Sequence, residues 1–269
     1  MAKLKYSLVT FSFENQPLGQ ILDMASRVGL DAIDLAGREG LNVRKVASVL
    51  RSHSMEIAEV TGLWGTGDWY WDIVNPDSSV RKAGIGYGKY TIDLAREFGQ
   101  MTEISLITKR QILEEYGRTK LLDRARRPLK ELATYAKDRG VTLLVESLNR
   151  YEVLPDVCLT HSQREAYQLV SEVSSESMGI LLDTFHCSIE ESDIVDVIHR
   201  YGRITRHVHL CDSDRYLPGF GHLDFKPILK AFKSVGYAGY LSFEPSPKPS
   251  VIDLQNSLAY LKSIEPFLD

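Results

Sequence analysis

The sequence predicts a single-domain (β/α)8 barrel, an α/β fold, over residues 1–269, and three observations favour it. The chain has 269 residues, close to the roughly 250 that one such barrel occupies. Short β-rich runs alternate eight times with amphipathic helical runs, as parallel strands joined by helices do. The turn after the first run, residues 10–15, lacks the glycine-rich phosphate loop expected of an open doubly wound sheet.

Short β-rich runs alternate along the chain with amphipathic stretches. The eight runs are Tyr6–Thr10, Ala32–Leu35, Glu56–Val60, Met101–Leu106, Thr142–Glu146, Gly179–Asp183, Thr205–Leu210 and Tyr240–Phe243. The eight helical patterns are Leu18–Val28, Val43–Ser52, Ser79–Phe98, Leu121–Arg139, Ser162–Val173, Ile194–Arg200, Phe225–Ser234 and Val251–Ile264. Four of these helices are followed by a glycine in the usual helix-ending place, namely Gly29, Gly99, Gly140 and Gly236.

Composition narrows the classes of partner. Hydrophobic residues make up 43% and charged residues 25% of the chain, which is typical of a globular protein with a large core. The net charge of −4 provides no basic field for a nucleic-acid partner. No window approaches eighteen apolar residues, so no membrane partner is predicted. The three cysteines lack CxxC spacing, and together with an N-terminus without an apolar leader they predict a reducing, cytoplasmic location.

Metal-capable side chains end the last four strand-like runs. The fifth run ends at Glu146 and the sixth at Asp183. His209 lies one residue before the end of the seventh, and Glu244 directly follows the eighth. Active residues of these barrels lie at the carboxyl ends of the strands, so the four side chains are expected to meet around one ion. Three carboxylates and one imidazole suit Mn²⁺ or Mg²⁺, with Co²⁺ or Zn²⁺ as further candidates.

Each of these residues also has a simpler interpretation. A glutamate at a strand end is commonly a surface group or a partner of a helix terminus, and Asp183 is placed to cap a turn toward His186. His207 and His209 share one face of their strand, so His207 is interpreted as a hydrogen-bonded interior residue one layer deeper. Agreement across four separate strands favours the metal site over four independent coincidences.

Longer segments around these positions carry a family resemblance. The segments are Glu146-Ser-Leu-Asn-Arg-Tyr-Glu152, Leu182-Asp-Thr-Phe-His186, Ile189-Glu-Glu191, His207-Val-His209 with Arg215 six residues later, Pro218-Gly-Phe-Gly221, Phe243-Glu-Pro245, and residues 75–83. They resemble the xylose-isomerase-like barrel superfamily, and more narrowly its ketose 3-epimerases of the D-tagatose 3-epimerase and D-psicose 3-epimerase type. The resemblance is most specific between Val141 and Pro245.

The resemblance implies roles for seven residues. Glu146, Asp183, His209 and Glu244 would bind the metal, and Glu146 and Glu244 would also be the catalytic acid/base pair. The residues that would hold the O1–O3 end of a small-molecule sugar substrate are Glu152, His186 and Arg215. The implied reaction is C3 epimerisation of a free ketose through a cis-enediolate, in a homodimer or homotetramer.

The chain departs from the family pattern at two places. The segment after Arg215 lacks the basic residue and the Pro-Trp of those epimerases. The acidic residue three positions before Arg215 is Asp212, where glutamate is more usual in the family. The third loop is dense in aromatic residues, namely Trp64, Trp69, Tyr70 and Trp71. Such rings would pack on the apolar side of a sugar or form a lid or subunit contact, and the sequence favours neither.

Other functions stay open on the same scaffold. An aldose–ketose isomerase, such as a hydroxypyruvate-isomerase-like protein, and an inosose-dehydratase-like lyase would share the chemistry, although Glu152 and Arg215 favour the epimerase. An abasic-site endonuclease would need further histidines from the early strands, and His53 is the sole histidine before His161. A sugar sensor without turnover would be expected to lack one of the four ligands.

Overall fold

The computed structural model describes residues 3–13, 16–63, 71–153 and 156–268. Its strands are β1 Lys5–Leu8, β2 Ala32–Ala36, β3 Glu56–Leu63, β4 Met101–Ser105, β5 Ile107–Thr108, β6 Thr142–Glu146, β7 Val157–Cys158, β8 Met178–Asp183, β9 Thr205–Leu210 and β10 Tyr240–Phe243. Its helices are α1 Leu18–Val28, α2 Val43–His53, α3 Ser78–Phe98, α4 Arg110–Tyr116, α5 Arg118–Lys137, α6 Gln163–Val173, α7 Thr184–Glu190, α8 Ile194–Tyr201, α9 Phe225–Ser234 and α10 Val251–Ile264.

Eight of the strands form one sheet in the order β1-β10-β9-β8-β6-β4-β3-β2. β1 pairs in parallel with β10, with Leu8 opposite Phe243. At the two ends of the strand order, a parallel bridge joins Val9, just after β1, to Asp34 in β2. Eight parallel strands in a nearly closed barrel, with helices between them, confirm the predicted (β/α)8 fold class.

The chain divides into two compact units. The first contains residues 1–58 and 182–269, and Phe225 is fully buried in its core. The second contains residues 59–181, with Leu132 fully buried in its core. That the whole chain is a single domain stays a prediction.

The helices are amphipathic, as their sequence periodicity predicts. α1 buries Ile21 and Leu22, and Gly29 ends it with a left-handed φ of 88°. Gly99 also ends its helix, but its φ is −123°, and the left-handed residue there is Gln100 with φ 58°. Across the described ranges, none of the helices combines the length and the apolar character needed to cross a bilayer.

Two helices were not predicted from the sequence. α4 is only seven residues long and buries none of them, and its apolar residues Ile112, Leu113 and Tyr116 form too short a run to establish a helical period. α7 begins directly after Asp183, whose Oδ1 accepts hydrogen bonds from the backbone N–H of Phe185 at 2.6 Å and of His186 at 3.2 Å. The interpretation of Asp183 as a capping residue is therefore correct, and its second oxygen, Oδ2, is directed elsewhere.

A capping box at the start of α6 gives a pH-dependent prediction. Oε2 of Glu165 accepts hydrogen bonds from the N–H of His161 at 2.7 Å and of Ser162 at 3.4 Å, and Oε1 pairs with Arg118 at 2.7 Å. Partial burial raises the pKa of Glu165, but the His161 N–H and Arg118 outweigh it and hold that pKa below its usual range. The resulting stability is present above the unfolded pKa of roughly 4.3 and is lost as the pH falls through the lower folded pKa.

Glu165→Gln is therefore expected to lower the free energy of unfolding at pH 7 by about 1 kcal/mol, and by much less near pH 3. Urea denaturation at the two pH values measures the difference. Glu176→Gln is the matched control, because the Glu176 side chain is 93% exposed and lies 4.0 Å from Lys137. An equal loss at both pH values for Glu165→Gln would contradict the electrostatic account.

Candidate metal centre and active site

Three of the predicted ligands meet in the first compact unit. Asp183 ends β8, His209 lies one residue before the end of β9, and Glu244 directly follows β10. Ser242 of β10 pairs with His209 of β9, so the parallel register brings these strand ends to the same edge. The side chains of Asp183 and His209 are fully buried, and Glu244 is 5% exposed.

The donor atoms of this cluster fit a divalent cation. One carboxylate oxygen each from Asp183 and Glu244 and one ring nitrogen of His209 lie within 4.8 Å of one another. Nδ1 of His209 is 3.3 Å from Oε2 of Glu244. Burying two carboxylates costs free energy unless positive charge compensates them, and oxygen donors with one imidazole suit Mn²⁺, Mg²⁺ and related ions. The cluster is thus a buried Asp/Glu/His group that is able to bind a metal.

Arg215 supplies fixed positive charge beside the cluster. It lies in the connection after β9, and its Nη1 is 2.7 Å from Oδ2 of Asp183. Its Nη2 is 3.2 Å from Oε2 of Glu244, and the side chain is only 16% exposed. Burial raises the pKa of Asp183, while the charge of Arg215 opposes that shift. A positive charge next to the Asp183 carboxylate therefore stabilises its ionised form.

His186 lies on the first turn of α7 and faces the same residues. Its Nε2 is 3.7 Å from Oδ2 of Asp183 and 3.4 Å from Nη1 of Arg215. Burial lowers the pKa of His186 to about 3, although the nearby Asp183 carboxylate opposes the shift. The ring is therefore neutral at physiological pH and provides one hydrogen-bond donor and one acceptor.

Glu146 and Glu152 belong to the second compact unit. Glu146 ends β6, is 5% exposed, and accepts a hydrogen bond at Oε2 from Oγ of Ser105 at 3.2 Å. Glu152 is exposed in the following turn, where its N–H donates to the carbonyl of Asn149 at 3.2 Å. The roles of Glu146 as a metal ligand and catalytic acid/base, and of Glu152 in sugar binding, stay predictions.

A buried polar chain lies beneath His209. Nε2 of His207 is 2.7 Å from Oδ2 of Asp34 and 3.0 Å from Oγ of Ser242, which in turn contacts Ser7. The interpretation of His207 as a hydrogen-bonded interior residue is therefore correct. Burial raises the pKa of Asp34, but His207 and His209 outweigh it and hold that pKa well below its usual range.

Asp34 was missed in the sequence. It interrupts the apolar run of β2 and is fully buried, and its Oδ2 lies 3.6 Å from Nε2 of His209. The available signal was a carboxylate in the middle of a buried strand, which requires a partner. Asp34 lies within its strand and not at the strand end, where the other site residues lie.

The aromatic third loop is described only at its last residue. Trp64, Trp69 and Tyr70 lie outside the described residues. Trp71 stacks on Tyr87 of α3, with ring centroids 4.0 Å apart and planes inclined by 9°. The ring of Trp71 is thus engaged within its own unit, and the roles of the loop as a sugar contact, or as a lid or subunit contact, stay predictions.

Comparisons with known proteins place the chain among related barrels. The model of the xylose isomerase-like TIM barrel family matches residues 22–264. The L-ribulose 3-epimerase of Mesorhizobium japonicum is 29% identical over 231 residues, covering 84% of this chain and 75% of that protein. A ketose 3-epimerase of Arthrobacter globiformis is 26% identical over 239 residues, covering 87% of this chain and 80% of that protein.

A solved structure extends the comparison to the fold. An L-ribulose 3-epimerase structure aligns with a TM-score of 0.83 and 21% sequence identity, covering 99% of this chain and 96% of that chain. At this level of identity the likeness concerns the fold alone, and it matches the (β/α)8 barrel found here.

Proposed function

The chain belongs to the xylose isomerase-like TIM barrel family, and on that premise we propose that it epimerises a free ketose at C3. The two relatives described above are named L-ribulose 3-epimerase and ketose 3-epimerase, which supports sugar epimerisation and an enzyme of the isomerase class. The observation that carries the proposal is the buried group of Asp183, His209 and Glu244 beside Arg215. Two carboxylates, an imidazole and a guanidinium suit a reaction that develops negative charge on oxygen.

One divalent ion, Mn²⁺ first among the candidates, would be held by Asp183, His209 and Glu244 together with Glu146. Support for Glu146 is its burial at the end of β6, its acidic side chain and the family resemblance of the segment that it begins. When bound, the ion supplies positive charge that stabilises an anionic oxygen of the substrate.

The proton transfers fall to two glutamates. One carboxylate removes the proton from C3, and the electron pair moves into the C2 carbonyl to give a cis-enediolate. The other residue, as a carboxylic acid, returns a proton to the opposite face of C3. Glu244 and Glu146 fill these roles in either order, depending on which epimer is bound. No electron is gained or lost, and proton exchange with water resets the two carboxyl groups.

Three further residues hold the O1–O3 end of the sugar. Arg215 donates to the sugar oxygens that become negative. Its guanidinium is placed for this, because it lies 3.2 Å from the carboxylate of Glu244, one of the two proposed acid/base residues. The neutral ring of His186 offers a donor or an acceptor beside it. Glu152, exposed near the end of β6, is assigned to the same end of the sugar by the resemblance.

The cell location and the assembly are proposed from the cysteines and from the family resemblance. The free cysteines of the described residues are Cys158, Cys187 and Cys211, all buried, which suits a reducing cytoplasm. A homodimer or homotetramer follows from the family resemblance. Analytical ultracentrifugation of the purified chain measures the assembly.

A turnover assay tests the function directly. Protein stripped with EDTA is offered D-fructose, D-tagatose and L-ribulose with and without Mn²⁺, and the products are resolved by chromatography. We expect C3 epimers that appear only when the metal is added, because the enediolate would otherwise lack the positive charge that the ion supplies. Aldoses as the main products would move the assignment to an aldose–ketose isomerase. Loss of water from the substrate would indicate a lyase.

A further inference from the structure

The connection between β9 and α9 is built around a buried carboxylate. Asp212 is fully buried, and its Oδ1 accepts hydrogen bonds from the N–H of Ser213 at 2.7 Å and of Leu223 at 2.9 Å. Its Oδ2 accepts a third from the N–H of Gly219 at 2.9 Å. Three backbone N–H donors from separate parts of the connection therefore converge on one side chain, and the N–H dipoles stabilise the carboxylate.

Arg215 lies inside the turn that Asp212 closes. The N–H of Asp212 donates to the carbonyl of Tyr216 at 2.9 Å, and the N–H of Arg215 donates to the carbonyl of Asp212 at 3.1 Å. The carbonyl of Arg215 accepts from the N–H of Ser246 at 2.8 Å, which ties the turn to the segment after β10. Arg215 has a left-handed φ of 63°, a conformation that persists in a non-glycine residue only when its surroundings enforce it.

We propose that Asp212 is a positioning residue that acts through Arg215. Asp212 accepts three backbone hydrogen bonds within its connection and so fixes the turn that carries Arg215. From this turn the Arg215 guanidinium extends to Asp183 and Glu244. The part of this inference that concerns catalysis rests on the proposed function. The part that concerns the placement of Arg215 is independent of it.

Gly221 gives a second line of support. A Cβ atom at this position would overlap Oδ1 of Asp212 and approach Oγ of Ser213. The backbone of the connection thus passes so close to the carboxylate that only glycine fits without a shift. Gly221→Ala should displace Asp212 without changing its charge, which provides a variant independent of Asp212→Asn.

A double-mutant cycle tests the role. Asp212→Asn replaces one acceptor oxygen by an amide that cannot accept from the backbone, so the turn should shift. We expect kcat/KM for the ketose turned over fastest in the substrate assay to fall by roughly 10- to 100-fold, since a displacement of about 1 Å costs up to that much. Combined with Arg215→Met, Asp212→Asn should add no further loss. Gly221→Ala should behave as Asp212→Asn does.

The control is Asp214→Asn in the same connection, where the exposed Asp214 accepts a local hydrogen bond from the N–H of Tyr216 at 3.0 Å. It is expected to leave kcat/KM within about twofold of the starting protein. Additive losses for Asp212→Asn and Arg215→Met would overturn the proposal, because they would mean that Asp212 acts by another route.

A crystal structure of Asp212→Asn separates this inference from the proposed function. If no ketose is turned over, the proposed function fails, but the positioning role is still decided by where the Arg215 guanidinium lies. Displacement from Asp183 and Glu244, with the barrel strands unchanged, supports the role. A guanidinium that keeps both contacts overturns it, whatever the activity.

Discussion

Glu244→Gln is expected to lower the rate of epimerisation by about 10²- to 10⁴-fold while the protein stays folded. The amide has nearly the same shape as the carboxylate but neither accepts nor returns a proton at neutral pH. The loss corresponds to about 3–5 kcal/mol of transition-state stabilisation. Because Glu244 is also a proposed metal ligand, rates are measured at saturating Mn²⁺, with the bound metal counted by elemental analysis.

Isotope exchange makes this prediction sharper. In D2O, Glu244→Gln should still exchange the C3 proton of the epimer that Glu146 deprotonates, without forming the other epimer. Glu146→Gln should show the complementary pattern, with exchange confined to the opposite epimer. If both variants exchange the same epimer, the two glutamates do not act on opposite faces of C3. Glu172→Gln is the control, because this residue forms a surface ion pair with Arg126 at 2.7 Å and should keep full activity.

The barrel was predictable because its signals are local. Buried parallel strands are short apolar runs, and the helices between them show a 3.6-residue period that any single segment reveals. The elements that the sequence did not predict depend instead on contacts outside a regular local pattern. α7 depends on the Asp183 side chain accepting hydrogen bonds from Phe185 and His186, and the β5–β7 pair joins Ile107 to Cys158 across a long stretch of sequence. Neither leaves a periodic trace.

The site residues also divide into those with a local sequence signal and those whose role depends on long-range contacts. Asp183, His209 and Glu244 were identified because each interrupts an apolar run at the end of a strand, where the fold gathers side chains. Asp34 escaped notice because its significance lies in a contact with His207, 173 positions away in sequence. Asp212 was noted as a variant of a family position, but its three backbone donors become apparent only in the folded connection. Long-range hydrogen bonding is what the sequence alone does not disclose.

The two histidines of β9 lie at different depths in the barrel and have different partners. Their side chains are two residues apart and so point into the barrel from the same face. His207 is engaged by Asp34 at 2.7 Å, whereas His209 directs Nδ1 toward Glu244 at 3.3 Å. The deeper histidine therefore contributes to the core, and the one nearer the strand end lies in the Asp/Glu/His group that is able to bind a metal.

This difference predicts that His209→Asn will abolish stoichiometric metal binding. Loss of a residue that merely orients a ligand commonly costs 10- to 100-fold in metal affinity, so loss of the ligand itself should cost at least about 100-fold. At a Mn²⁺ concentration of about 100 times Kd, binding stabilises a protein by about 2.7 kcal/mol, and a 100-fold weaker site leaves about 0.4 kcal/mol. Calorimetric titration and the Mn²⁺-induced rise in Tm measure the two effects.

His199→Asn is the matched control for this change. His199 is exposed on α8, where its Nε2 is 3.2 Å from Oγ of Ser234. That variant should bind Mn²⁺ with unchanged affinity and show the full rise in Tm. A His209→Asn protein that keeps both would place the ion elsewhere. Loss of metal binding in His209→Asn with an intact fold would instead tie the ion to the group of Asp183, His209 and Glu244, since the Tm in EDTA reports folding independently of the metal.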